Sequence, residues 1–463
     1  MSPRAGEDPL RDLLVGYTHG LSREEVTDDD LRIVRHLLLD TLCAVVAGSE
    51  AEPVTALRST VTPAAEDDRA SVLGTSVPAP PAQAALINGT AARVAEMNDV
   101  YVSKIGLGSH PSDMTMPILA AAQAAGASGL EVALALLGAY EVYMEMADSV
   151  DVEGFDAATF AGMGVALGAS RVMGLDEERT ANALGIVAIT HNPLVQTRRG
   201  RLTMWKAVAA GHAGSNGVHA ALLARAGVEA PAQPFVGRDG WGQLIARSAL
   251  DVALGGGGGR PMRMHEVTVK PRAACQNTIS SILAAEDAAS RLVDPAQVKA
   301  VLVETYAFAK EYTGSGAERW DPQTPETADH SIPYVVAAAL HHGRVGPASF
   351  TQERLWDRDL RDLMAKVEVV AREDYSAANE QRPQQHPTRV VVTLVSGERV
   401  EGRTGFDRGD LTDAPTWEDL VAKFREVAGG RLAAGAVDRV IDAVATLEEL
   451  PDITPLVRQA LSA

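Results

Sequence analysis

TRVVVTLVSGERVEGRT, residues 388–404, decides the fold. It is crowded with β-branched residues, its apolar and polar side chains alternate, and Ser396-Gly397 supply turn chemistry at its centre. It reads as a β-hairpin. VKAVLVETY (298–306), VEVVA (367–371) and HEVTVK (265–270) carry the same strand signal, with helical runs at about 275–291 and 327–342 between them. Mixed in this way, strands and helices make an α+β module of residues 265–408.

The first 260 residues read differently. Thr27 followed by Asp28, Asp29 and Asp30 is a helix start, with negative charge where the helix dipole favours it. Leu31, Val34, Leu38, Leu42 and Val45 then form a helical stripe that ends at Gly48. Ser128 and Glu131 read as a capping box for a helix to about Met146. Further helical runs cover about 157–174, 177–191 and 205–226. After about 408 the pattern is helical again, with Thr416 to Asp419 as a cap. The expected architecture is mainly α. One helical domain is made from residues 1–264 and 409–463, and the α+β domain is inserted between them. The glycine run 255–260 lacks the Lys-Ser/Thr of a phosphate loop and reads as a connector.

Composition narrows the partners. With 61 acidic against 42 basic residues the net charge is −19, which argues against a nucleic-acid surface. No stretch approaches the roughly 20 apolar residues of a membrane span, and the N-terminus lacks the apolar core of a secretory signal. Two cysteines, Cys43 and Cys275, make no disulfide framework and suit a reducing compartment. The expectation is a cytoplasmic, soluble protein.

Against that acidity, Arg198, Arg199, Arg201 and Lys206 crowd into nine residues. A solvated loop tip is one reading and a socket for a small carboxylate is the other, because arginine forks bind carboxylates in pairs of hydrogen bonds. Lys206 opens an apolar helix, where it either snorkels or meets a substrate. In GSHPSDMTMP (108–117), Pro111 holds His110 extended at a loop–helix junction, and Ser112 or Asp113 is placed to cap the helix. Glu96 and Asp99, just upstream, either orient this histidine or are ordinary loop acids. Lys270 and Arg272 are surface cations or part of an anion-binding cleft. His341-His342 precede Gly343 at a helix end and compensate its dipole. No His/Cys group has zinc-ligand spacing.

Together LLLDTLCAVVAG, EMND followed by HPSD, GVALGASRVMGLDEERTANALGIV, RRGRLTMWK, TPETADHSIPYVVAAAL and the late hairpin with FDRGD resemble the MmgE/PrpD family. This family of methylcitrate dehydratases also includes cis-aconitate decarboxylases and iminodisuccinate epimerases. The resemblance implies a homodimer in which the α+β domain is a lid, with catalysis between the domains and without metal or organic cofactor. It matches His110, Lys206, Lys270 and Asp99 to site positions, with Glu96 in place of the family's leading aspartate and Val100 in place of its threonine. Decarboxylase-like members carry a histidine where this chain has Asp156, and another near Cys275.

The reaction expected is proton removal α to a carboxylate followed by loss of a β-hydroxyl. His110 and Lys206 would transfer protons, with Asp99 and Glu96 orienting or relaying. Arg198, Arg199, Arg201 and Lys270 would clamp carboxylate, and Asp156 and Cys275 would shape the pocket for an acid with fewer charges than a tricarboxylate. Epimerisation or decarboxylation of a related acid, and a non-catalytic carboxylate-binding protein, are the alternatives. Since no ligand constellation is legible, turnover is expected to survive exhaustive chelation. Loss of rate with EDTA, restored by a divalent ion, would overturn that.

Overall fold

The computed structural model describes residues 7–64, 69–105, 108–248, 250–255, 261–381, 384–405 and 415–462. Most of the glycine run and all of FDRGD (406–410) lie outside these residues.

The helix starts follow from their caps. Thr27 Oγ1 accepts the Asp30 N–H at 3.1 Å while the Asp30 carboxylate accepts the Thr27 N–H at 2.8 Å, and the helix runs Asp28–Ala47 to Gly48. Ser128 accepts from the Glu131 N–H at the head of Gly129–Ser149. Ala158–Val172, Glu177–Thr190 and Trp205–Arg225 follow.

Small residues let these helices pack closely. Trp205–Arg225 crosses Pro81–Val94 where Gly211 and Gly89 meet. A Cβ added at Gly211 would lie 2.2 Å from the Leu86 carbonyl oxygen, and one at Gly89 would lie 3.0 Å from the Gly211 Cα. Alanines and glycines of Trp205–Arg225 are buried on several faces, so the helix has no strong polar side. The helices Trp417–Ala428, Ala436–Ala445 and Thr454–Leu461 pack into this same core through Leu420, Phe424, Val440 and Leu456.

A second core, beginning with Ala274, is built around a four-stranded mixed sheet. After a short ribbon of β1 (Tyr101–Val102) and β2 (Gly108–Ser109), the strands are β3 (Val298–Thr305), β4 (Val367–Ala371), β5 (Thr388–Leu394) and β6 (Arg399–Thr404). Their order is β4-β3-β5-β6, with β3 and β4 parallel and the other neighbours antiparallel. The β5–β6 hairpin pairs Val392 with Val400, as its alternation requires. Helices Gln276–Ala289 and Ile332–His342 contribute Ile279, Ile282, Val335 and Val336 to this core.

Two elements differ from the sequence reading. HEVTVK is not a strand of the sheet: Arg263–Glu266 is a 3₁₀ turn, and only Thr268 bridges to Val100. Its valines pack on the helical core, and Arg263 is pinned there by Glu145, Asp148 and Glu266. Local alternation cannot distinguish a strand from a segment clamped by buried ion pairs. The 327–342 run is broken into Pro325–Ala328 and Ile332–His342, the second capped by Ser331. The loop between them carries Asp329 and His330. Among the described residues, no helix is long and apolar enough to cross a membrane.

Gly211→Val should destabilise by about 3 kcal/mol, the upper end for overpacking, because the clash is with backbone rather than a flexible side chain. Thermal unfolding checks this, and an unchanged melting temperature would mean the helices separate freely.

Candidate functional site

Glu96 follows the Pro81–Val94 helix in the left-handed region, with φ of 52°, a conformation that costs a non-glycine residue about 1 kcal/mol or more. What holds it there is charge. Its buried carboxylate meets Arg93, Lys206 Nζ at 2.7 Å and Lys270 Nζ at 3.0 Å. Burial pushes the acid up, but Arg93, Lys206 and Lys270 together hold it well below the usual carboxylate range. Lys206, in the first turn of its helix, also lies 3.5 Å from Asp329 and 3.4 Å from His330 Nδ1. Lys270 turns its remaining hydrogen bond to the Ala274 carbonyl at 3.2 Å, and burial lowers it more than Glu96 raises it.

His110 stands at the head of the 3₁₀ turn Pro111–Met114. Its Nδ1 lies 2.6 Å from the Asp99 carbonyl oxygen. A carbonyl can only accept, so Nδ1 carries the proton and Nε2 keeps its lone pair. Burial, with Arg93 and Lys270 adding like charge, holds the ring well below the ordinary imidazole value. Ser112 and Asp113 do not cap the following helix. Ser112 donates to the Asp99 carboxylate, and Asp113 accepts from Asn98 at 3.2 Å.

The expected carboxylate clamp is rearranged. Arg198 Nε donates to Asp156 at 2.7 Å and its Nη1 to the Lys206 carbonyl at 2.8 Å, so its fork is engaged within the protein. Asp156 is correspondingly neutralised; burial raises it, but Arg198 brings it below its usual range. Arg199 forms no ion pair among the described residues and lines the cavity beside Lys206. Arg201 is exposed and outside the cavity lining. Lys270 is wholly buried behind Glu96 rather than in the lining. The Asp99 side chain also faces away: it accepts from Ser112 and Tyr140, and burial pushes it up to about 6. Its backbone carbonyl, rather than its carboxylate, touches His110.

These groups surround a cavity of ≈ 350 Å³ between the two cores. His110, Glu96, Asp156, Arg198, Arg199 and Lys206 come from the helical side, and Cys275, Asn277, Phe308, Tyr312 and His330 from the other. A hollow of ≈ 460 Å³ elsewhere, by Arg11 and Glu177, holds none of these residues.

Several of these positions do not stand out in the sequence. Arg93 looks like an ordinary cation at a helix end, and Asp113, pushed up to about 7 by burial, like a cap. His330 lies in ADHSIP, where Asp-His-Ser interrupts an apolar run two residues before Pro333. That interruption is the one available signal. Tyr312 packs its ring edge against His330, with centroids 6.1 Å apart.

A family model described as the MmgE/PrpD N-terminal domain matches residues 12–251, and one described as the MmgE/PrpD C-terminal domain matches residues 272–449. Cis-aconitate decarboxylase of Homo sapiens is 25% identical over 454 residues, covering 95% of this chain and 92% of that protein. The Mus musculus cis-aconitate decarboxylase is 25% identical over 469 residues, covering 96% and 91%. The cis-aconitate decarboxylase-like protein oryM of Aspergillus oryzae is 24% identical over 473 residues, covering 96% and 95%.

Glu96→Gln would leave Arg93, Lys206 and Lys270 crowded without their shared anion. A loss of about 3–5 kcal/mol is expected, as when one partner of a buried pair is removed. Because the native acid sits below its unfolded value, its stabilisation is complete above the ordinary carboxylate range and fades as pH falls through it. Adding Lys270→Met should recover part of the loss in urea unfolding. A single variant within about 0.5 kcal/mol of the parent would show that the cluster does not hold Glu96.

Proposed function

Since the chain belongs to the MmgE/PrpD family, we propose that it is a cofactor-independent lyase that dehydrates a small β-hydroxy acid. The observation that carries this reading is the His110 ring, fixed as a neutral base with Nε2 unoccupied in a cavity wall beside the Lys206–Glu96 pair. His110 Nε2 takes the proton α to the substrate carboxylate. Arg199 and the Lys206 ammonium meet that carboxylate as negative charge builds on it. The β-hydroxide leaves with a proton from Lys206, giving an α,β-unsaturated acid and water. Asp113, pushed up to about 7 by burial, lies in the same lining as a further proton donor.

Charge compensation supports a substrate with few carboxylates. Arg93 is matched by Glu96 and Arg198 by Asp156, and Lys206 is shared between Glu96 and Asp329. Of the arginines and lysine lining the cavity, that leaves Arg199 without an ion pair among the described residues, suited to a mono- or dicarboxylate. Asp156 limits substrate charge by occupying Arg198 rather than by facing the substrate directly.

Decarboxylation is the second reading, favoured by the two cis-aconitate decarboxylase relatives and the decarboxylase-like one, and by His330, which puts an imidazole beside Cys275 after all. In either case the α+β part is read as a lid over the cavity. A homodimer is read from the family resemblance, with Ile189, Leu194, Met204 and Trp205 as large apolar side chains exposed on the helical part.

A panel of β-hydroxy acids, 2-methylcitrate and cis-aconitate, followed by proton NMR in deuterium oxide, tests the reaction. Water loss from a less anionic acid is expected. Carbon dioxide release from cis-aconitate would establish the second reading, and deuterium entering Cα without elimination would establish epimerisation. His110→Ala and Lys206→Ala should each lower kcat by at least about a hundredfold, with the double variant little worse. Because His110 is held neutral, kcat/KM should keep its plateau as pH falls past 6.5, the ordinary imidazole value. A decline centred there would assign the base to another group.

A further inference from the structure

The cavity wall opposite His110 carries a second constellation that the dehydration does not use. Cys275 immediately precedes the Gln276–Ala289 helix, with the His330 ring and the Asn277 N–H as the neighbours that favour its thiolate. His330 Nδ1 is bonded to the Asp329 carboxylate, which leaves Nε2 as the ring atom for the thiol. The backbone locks the two segments together, since the Cys275 N–H donates to the Asp329 carbonyl at 3.0 Å. Thiol, imidazole and carboxylate thus form a nucleophile, a base and an orienting acid in series. All three are buried, and Cys275 and His330 line the cavity.

We propose that Cys275, His330 and Asp329 form a reactive thiol site that takes an α,β-unsaturated carboxylic acid in covalent linkage. The sulfur electron pair attacks the β-carbon and a C–S bond forms. The π pair moves to the α-carbon, which receives the proton that His330 took from the thiol. The product is a saturated thioether acid, and no oxidant or reductant is needed. Arg199 lies in the same lining to receive the carboxylate.

The local charges favour the step. Burial opposes the thiolate, but the imidazolium of His330 and the helix N–H bring Cys275 below the ordinary thiol value, against the repulsion of Glu96. Lys270 attracts the thiolate, Lys206 opposes charge on His330, and Tyr312 stands beside both. Cys43 is the internal contrast. It is buried in the helical core, outside the cavity lining, and pushed up to about 12.

The test is adduct formation by the full-length reduced protein with acrylate and, separately, acrylamide, at a pH about two units below the ordinary thiol value of ~8.5. Intact mass and peptide mapping identify the site, so the outcome is independent of turnover. Saturable acrylate addition at Cys275, with Cys43 untouched and acrylate the faster reagent, is expected. Arg199→Gln should slow acrylate at least about tenfold and leave acrylamide unchanged. His330→Asn should move reactivity to the pH range of an ordinary thiol. Modification by acrylamide alone would overturn carboxylate recognition. Failure of both reagents at Cys275 in the parent protein, or parent rates that rise only through the ordinary thiol range, would overturn the site itself. A protein that forms the adduct yet dehydrates nothing would keep this inference and refute the dehydratase reading.

Discussion

Glu96 is the anion around which the two cores are joined. Arg93 reaches it from the end of one helix, Lys206 from the start of another, and Lys270 from the segment that leads into the second core. Three cations cannot be buried together without an anion between them. That requirement explains why a non-glycine residue is accepted in the left-handed region here. It also sets where Lys206 stands relative to His110, because both are placed by what immediately flanks Glu96: the ion pair itself and the Asp99 carbonyl three residues on.

The same compensation governs what the cavity offers a substrate. An arginine paired with an aspartate, as Arg198 is with Asp156, is a wall rather than a hand. Arg199, next in sequence, extends from the same loop without such a partner among the described residues. Arg198 ends the 3₁₀ turn Val195–Arg198 and Arg199 leaves it in extended backbone, so the two neighbours are separated where the turn stops. Both sides of the cavity carry a histidine ordered by an oxygen at Nδ1. For His110 this is a carbonyl, and burial with Arg93 and Lys270 keeps the ring neutral; for His330 it is a carboxylate, which joins Cys275 in favouring the charged ring against burial. Two imidazoles of opposite character face one small space, so acid and base work need not compete for one ring.

Much of the fold was legible because local rules are strong where packing and capping agree. Thr27 and Ser128 start their helices as their side chains require, and the β5–β6 hairpin turns at Ser396-Gly397. Local rules failed at HEVTVK, where buried ion pairs of Arg263 outweighed the alternation, and at Asp329–Ser331, where a helical run is interrupted to present a histidine. The family likeness was legible too, through EMND, HPSD and RRGRLTMWK, all of which fall within the residues the family's N-terminal model matches.

What the sequence determined by itself was therefore which chemical groups the protein possesses and the helical or extended path that carries them. Tertiary structure alone decided how those groups are employed. It turned the Asp99 carboxylate toward Ser112 and its carbonyl toward His110, matched Asp156 with Arg198, placed Lys270 behind Glu96, and left Arg201 in solvent. The reason is physical. Backbone propensity and capping act within a few residues, whereas the pairing of buried charges depends on distances across the fold, where a carboxylate accepts whichever cation packing brings within about 3 Å.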